Sequence, residues 1–328
     1  MRLEIGNFYV RNIIFGEKLS FESGILTINK GEALTYIRAD ERITEAELYI
    51  AKPGDPIRIC PVKEAIEPRV RPDGRGVFPG YTGDLERAGN GTVHALKNCS
   101  VLVVGRHWGG FQDGLIDMSG EGQKYTYFGQ LNNIVLVADT NEVFEQREQQ
   151  KKNDALRRAG HKLAEYIAQC VKELKPEETE VYDLDAMIRR GADVETLPSV
   201  VYVMQPQSQM EELGYNDLVY GWDMNRMVPT VMHPNEILDG ALVSGSFMPV
   251  SSKWSTYDFQ NCPNIKALYR EHGKTINFLG VIMSNLNVAL EQKERAALFV
   301  AQIANTLGAD GAVVAEEGYG NPDADFVG

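Results

Sequence analysis

The chain has 328 residues, 43% of them hydrophobic and 24% charged, with a formal net charge of −13. That composition supports one large or two smaller globular units with real cores, and its acidity argues against a broad basic face for nucleic acid. No apolar run approaches the ~20 residues of a membrane helix and the start MRLEI is no secretory signal, so the expectation is a soluble cytoplasmic protein.

In chain order, residues 1–62 read as β. MRLEIGNFYVRNIIFG and KLSFESGILTINKG alternate apolar and polar residues between Gly or Asn turns, and AELYIAKPGDPIRICPV predicts a strand pair around Pro53-Gly54-Asp55. The following stretch to about residue 96 is rich in Gly, Pro and Arg and reads as a long loop with short strands. From residue 100 the pattern changes. SVLVVG (100–105) and NIVLVAD (133–139) are continuous apolar runs of the kind buried on both faces of a parallel sheet. A long helix is predicted over about 144–174, with Leu156, Ala159, Leu163, Ile167, Cys170 and Leu174 on one face. His161 is expected on its polar, solvated side. Further strands are predicted at 200–205, 240–245, 276–285 and 311–317. A helix before the last of these carries Ala297, Val300, Ala301, Ala304 and Leu307 as its buried stripe and Gly308 as its C-terminal stop. The fold expectation is α/β, with a parallel, doubly wound sheet and an N-terminal β-rich segment. The division is 1–99 and 100–328, the second unit incomplete where GAVVAEEGYGNPDADFVG stops just after a strand and loop. A truncated or split chain, or a partner chain that completes the sheet, would account for that ending.

The four cysteines, Cys60, Cys99, Cys170 and Cys262, are widely spaced without a CxxC pair, which excludes a zinc ribbon and argues against a disulfide framework. Chemistry in open α/β sheets concentrates where strands give out into loops, and three such places stand out. The first is His107-Trp108-Gly109-Gly110-Phe111-Gln112-Asp113. Its glycines let backbone amides approach a ligand and its histidine is an acid, base or donor near neutrality; the alternative is a loop that only packs its aromatics. Asp113 and Asp117 lie four apart, either a carboxylate pair or turn formers. The second is Glu316-Glu317-Gly318-Tyr319-Gly320-Asn321-Pro322-Asp323-Ala324-Asp325, with four carboxylates in ten residues. They repel unless solvent, a lysine, an ammonium substrate or a metal compensates, and Lys253 and Arg226 are the cations that could do so.

The third is Ser244-Gly245-Ser246 at the exit of GALVSG. A Gly-Ser bond in a strained turn can undergo an N-to-O acyl shift and elimination, leaving a pyruvoyl group whose carbonyl forms a Schiff base with a substrate amine. Asn261-Cys262-Pro263 is a second conceivable nucleophile site, the alternative being a buried inert thiol. His233, before a proline near the central strand exits, is the remaining histidine to weigh as functional, whereas His272 reads as a helix end.

MRLEIGNFYVRNIIFG, PGDPIRICPVKEAIEPRV, GNGTVHALKNCSVLVVG, GGFQDGLIDMSG, YREHGKTINFLGVIMSN and KERAALFVAQIANTLGADGAVVAEEGYGNPDAD together resemble one family over nearly the whole chain. It is the pyruvoyl-precursor (alpha/beta) subunit of component B of glycine/sarcosine/betaine reductase, related to D-proline reductase proproteins. The resemblance implies an oxidoreductase of amino-acid metabolism that reductively cleaves a C–N bond, with the amine bound to a protein pyruvoyl as a Schiff base. It also implies a selenoprotein or thiol subunit that takes the carboxymethyl group, a thioredoxin-like reductant and an acyl-phosphate-forming subunit. In that reading His107, Gln112, Asp113, Asp117, His233, Glu316, Glu317, Asn321 and Asp323 line the substrate pocket, and Ser246, with Ser244 and Cys262 nearby, is the catalytic locus. Two departures stand out. The family draws its pyruvoyl from a cysteine just after the equivalent of DGALVS, but GSFMPVSSKW contains none and offers Ser246 instead; and the family precursor continues past GNPDAD. The alternatives are a non-pyruvoyl C–N lyase or hydrolase on the same scaffold, with or without a metal, and a non-catalytic partner subunit.

Overall fold

A computed structural model describes residues 1–105, 114–140, 149–185, 194, 196–209, 216–245 and 253–328, with the side chains of 149–152 excepted. The described residues are mixed α/β and form five sheets with both parallel and antiparallel pairs, rather than one continuous parallel sheet.

The largest sheet has five strands. Ile43–Ala51, Arg58–Ile66, Cys99–Gly105, Gly114–Asp117 and Asn132–Thr140 join in it, with Cys99–Gly105 and Asn132–Thr140 parallel and the other pairs antiparallel. Strands from both sides of residue 100 therefore share one sheet, and the change in sequence pattern there is not a break in hydrogen bonding. The two apolar runs that prompted the parallel reading form the parallel pair, and every residue of Cys99–Gly105 is buried.

The helix Gln149–Ala168 covers this sheet. Leu156, Ala159, Leu163 and Ile167 are buried as the helical spacing predicts, while Cys170 is half-buried and Leu174 exposed, because the helix ends at Ala168 and tightens into a 3-10 turn through Val171. His161 corrects the expectation of a solvated ring: it is fully buried, edge-on to Phe78 and Tyr81. The loop 69–83 folds over the helix side that periodicity assigned to solvent. A second correction lies in the N-terminal segment, where Lys30–Ile37 is a helix. Asn29 caps it by accepting from the Glu32 amide at 3.1 Å, and it buries Ala33 and Ile37.

The C-terminal sheet positions the site. Its order is Thr230–Met232, Asn277–Met283, Ser199–Gln205, Gly311–Glu316, the last three strands all parallel. Between Asn277–Met283 and Gly311–Glu316 runs the helix Leu290–Thr306, a strand–helix–strand crossover as predicted. Val300, Ile303, Ala304 and Leu307 pack on Val201, Val203, Leu279 and Ile282; Ile303 takes the place expected for Ala301, which is exposed. Gly308 follows with φ 69, the left-handed residue expected at the helix stop. A small sheet, Leu218–Val219 between Trp222–Asp223 and Leu242–Val243, sets Leu218 opposite Val243. GALVSG is thus a two-residue strand whose exit lies beside Asp217.

Candidate functional site

The parallel strands Ser199–Gln205 and Gly311–Glu316 end in register, Gln205 opposite Glu316. Gln207 and Glu317, which follow them, are therefore neighbours. The Gln207 amide donates to Glu317 Oε2 at 2.9 Å and to Asp217 Oδ2 at 3.1 Å, so two carboxylates from distant segments converge on one N–H. Glu317 Oε1 takes the Trp254 amide at 2.7 Å and Asp217 Oδ1 takes the Gly245 amide at 2.8 Å. Both acids are buried. Burial, and for Glu317 also the facing Asp217 carboxylate, pushes both above the ordinary carboxylate range. Like charges this close favour a shared proton.

Lys253 sits against this pair with its Nζ donating to Gln207 Oε1 at 2.8 Å. Burial lowers its pKa, and the surrounding Glu317, Asp217 and Glu316 carboxylates oppose that. Gly318 makes the approach feasible: it has φ +114, and a Cβ there would lie 2.6 Å from Lys253 Nζ. Glu316 is pushed up to about 7, by burial first and by Asp323 second. Two carboxylate pairs thus stand at one strand end, Glu316 with Asp323 and, deeper, Glu317 with Asp217, with Lys253 as the cation at the buried pair.

The loop beyond is braced from behind. Asp325 pairs with the buried Lys293, whose Nζ also reaches the Asn321 carbonyl at 2.9 Å. Asn321 Oδ1 accepts from Gln209 Nε2 at 2.8 Å, and Asp323 Oδ2 accepts the Gly320 amide at 2.9 Å. The loop is therefore pinned with its glutamates at the strand end, not solvated throughout.

Of the residues expected at the site, Glu316, Glu317, Asn321 and Asp323 come together here, and Lys253 joins them. Ser244 lies at its edge. Its amide donates to Thr256 Oγ1 at 3.0 Å, while its own Oγ is buried with no partner among the described residues. Gly245 packs so closely that a Cβ would lie 1.7 Å from the Asn216 carbonyl oxygen, so only glycine fits. His107, Gln112, Asp113 and Ser246 lie outside the described residues.

Three expected residues serve other ends. Asp117 forms a two-pronged ion pair with Arg58, at 2.6 and 3.0 Å, within the five-stranded sheet. His233 caps the helix Pro234–Leu238, its Nδ1 accepting the Asn235 amide and its Nε2 donating to the Leu184 carbonyl. Cys262 occupies the N-cap position of the helix Pro263–Glu271 without a side-chain cap hydrogen bond; it is buried, and burial raises its thiol pKa, which favours the inert one of the two readings. Arg226 lies over the Trp222 ring, 6.0 Å from its centroid. His272 ends the helix Pro263–Glu271, as expected.

Sequence reasoning missed Asp217, Gln207 and Thr256. Each is an isolated polar residue in a loop or helix start, with no spacing that links it to Glu317. Among the described residues no three or more His, Cys, Asp or Glu side chains gather as a metal site. No described helix is long and apolar enough to cross a membrane.

Fold and site together define a mixed α/β protein with a carboxylate cluster at the ends of parallel strands. The chain is 72% identical over its full length, and over 74% of the relative's, to the betaine reductase complex component B subunit alpha of Peptoclostridium acidaminophilum. It is 41% identical, over its full length and 75% of the relative's, to that organism's glycine reductase complex component B subunits alpha and beta. It is 40% identical, with the same coverage, to its sarcosine reductase complex component B subunit alpha. No solved structure matches. The description glycine/sarcosine/betaine reductase component B subunits matches residues 1–328, and the chain belongs to that family. It is therefore a component of a reductase complex and works with partner subunits.

Proposed function

We propose that this chain is the substrate-binding subunit of a reductase that cleaves the C–N bond of betaine, or of glycine or sarcosine, and that the strand-end carboxylates hold the substrate's cationic nitrogen. The observation that carries this is the convergence of Asp217 and Glu317 on the Gln207 amide, with Glu316 and Asp323 beside them. A small zwitterion presents one cation and one carboxylate. Its cation would meet two carboxylate pairs at a partly buried strand end, where Coulomb attraction is stronger than in water. The 72% identity to a betaine reductase component, against 41% and 40% for the glycine and sarcosine proteins, favours betaine among the three.

For glycine or sarcosine the proposal includes a pyruvoyl group derived from Ser246. The residues just upstream suit it: Gly245 tolerates no side chain, its amide is held by Asp217, and Ser244 Oγ is a buried hydroxyl with no partner among the described residues. Such a group supplies an electrophilic carbonyl for an amine. Betaine's nitrogen is quaternary, with no N–H and no lone pair, and cannot condense with a carbonyl; glycine and sarcosine can. The choice of substrate and the presence of the group are thus linked. Intact mass of the purified chain tests the group: an uncleaved chain with unmodified Ser246 removes it and leaves the carboxylate site standing. Calorimetric titration with betaine tests that site in the wild type and in Asp217→Asn and Glu317→Gln; unchanged affinity in both variants would refute it.

The proposed partners are a selenoprotein or thiol subunit that takes the carboxymethyl group, within a cytoplasmic oligomeric assembly. A sheet-completing chain is part of the same reading. Among the described residues Gly311–Glu316 is an edge strand of its sheet, with Val313 and Val314 both exposed.

A further inference from the structure

Glu64 is wholly buried on the strand Arg58–Ile66, and both its oxygens have hydrogen-bond partners. Oε1 accepts two amides, Ala65 at 2.8 Å and Thr256 at 3.0 Å. Oε2 faces Thr256 Oγ1 at 3.3 Å. That hydroxyl meets two further groups, the Ser244 amide at 3.0 Å and His161 Nε2 at 3.2 Å. His161 Nδ1 lies 2.8 Å from the Arg157 carbonyl, which can only accept, so Nδ1 carries a proton. The ring is buried and held neutral, its pKa lowered to about 3 by burial, so Nε2 is an acceptor. The single Thr256 hydroxyl proton can serve only one of two acceptors, Nε2 at 3.2 Å or Glu64 Oε2 at 3.3 Å, while the oxygen accepts from Ser244; given to Nε2, it is not available to Glu64. The contact with Glu64 then lacks a proton unless the carboxyl brings one.

We infer that Glu64 stands in the folded chain as a neutral acid donating to Thr256 Oγ1, and that through Thr256 it positions the Asp217–Glu317 pair. The path is continuous. Thr256 Oγ1 holds the Ser244 amide, the next amide of Gly245 holds Asp217 Oδ1, and Asp217 Oδ2 shares the Gln207 amide with Glu317. It links the five-stranded sheet to the C-terminal strand ends. Burial raises the carboxyl to about 8; the Thr256 and Ala65 amides on Oε1, and then Arg157 from the long helix, favour its ionised form, and Asp217 its neutral one. Tyr81, from the loop over that helix, and His161 are the other titratable side chains nearby. Ionisation would set the one Thr256 proton between two acceptors and loosen the hold on Ser244. The inference rests on the reading of that pair as the substrate site only for its consequence in binding.

Carboxyl-carbon NMR of the Asp and Glu side chains, in the full chain titrated from about pH 5 to 10, tests it. The Glu64 signal is expected neutral at pH 7, titrating near 8, and absent in Glu64→Gln. Glu64→Gln keeps an acceptor for the two amides and an N–H for Thr256, and Thr256→Ser keeps the hydroxyl; both leave the Asp217–Glu317 titration in place. Thr256→Val shifts the pair by about tenfold in proton affinity. An ionised Glu64 at pH 7, or a pair indifferent to Thr256→Val, overturns the inference. Betaine that leaves the pair's signals unmoved in the wild type refutes the substrate reading alone.

Discussion

Glu67 offers the most exacting test of how the two halves of the chain are held. It is fully buried and binds Arg69 at 2.6 Å, Lys97 at 2.8 Å and Asn261 Nδ2 at 3.1 Å. Arg69 in turn donates to the Gln260 carbonyl at 2.9 Å, so this cluster fastens the five-stranded sheet's neighbourhood to the helices around residues 256–271. Burial alone would raise the Glu67 pKa; the Lys97 and Arg69 charges reverse that and hold it at about 2. Against an unfolded value of about 4.3 this amounts to roughly 3 kcal/mol. Glu67→Gln leaves two buried cations short of a counter-charge, which independently predicts a loss of about 3–5 kcal/mol. Because the folded pKa is depressed, the stabilisation is complete above the unfolded value and disappears as pH falls towards 2. Urea unfolding at pH 7 should show the variant's midpoint lower by about 1 M, at a slope near 3 kcal/mol per M. The gap between variant and wild type should narrow as the pH approaches 3. A variant within about 1 kcal/mol of wild type at pH 7, or a gap that does not change with pH, would refute the reasoning.

The remaining expectations concern the site and its surroundings. Betaine affinity should rise with pH through about 7, as Glu316 ionises and attracts the cation, and Glu316→Gln should flatten that rise in calorimetric titrations. Gly318→Ala places a methyl 2.6 Å from Lys253 Nζ at a left-handed backbone position; it should weaken betaine binding by about tenfold or more, read by the same titration. His233→Ala removes a helix cap and should cost about 1 kcal/mol in urea unfolding while leaving betaine affinity unchanged. Asp117→Asn breaks an exposed ion pair with Arg58 and should change neither stability nor betaine affinity measurably.

Legibility in the sequence followed the range of the interaction. The runs 100–105 and 133–139 were readable as buried parallel strands because burial on both faces leaves no polar alternation to confuse. Leu156, Ala159, Leu163 and Ile167 were readable as a helix face for the same local reason, and Gly308 as its counterpart's stop in the helix Leu290–Thr306. His161 was misread because periodicity reports one buried face, and a second face was covered by a loop about 80 residues earlier in the chain. Lys30–Ile37 escaped because a two-turn helix carries too few periods to outweigh its β neighbours.

The candidate site divides in the same way. Glu316, Glu317 and Asp323 announced themselves by charge density at a strand end, where like charges demand compensation. Asp217, Gln207 and Thr256 carried no such mark, since each acts through a partner tens to hundreds of residues away. The amino-acid order by itself determined the α/β class, the family and the acidic strand-end loop, because these depend on local periodicity, composition and contiguous motifs. Only tertiary structure decided that Glu317 faces Asp217 rather than solvent, that His233 and Asp117 cap or bridge elsewhere, and that Glu64 reaches the site through Thr256. Those outcomes depend on which strand ends meet in register and which amides are left over to be satisfied, and neither is written in any one stretch of chain.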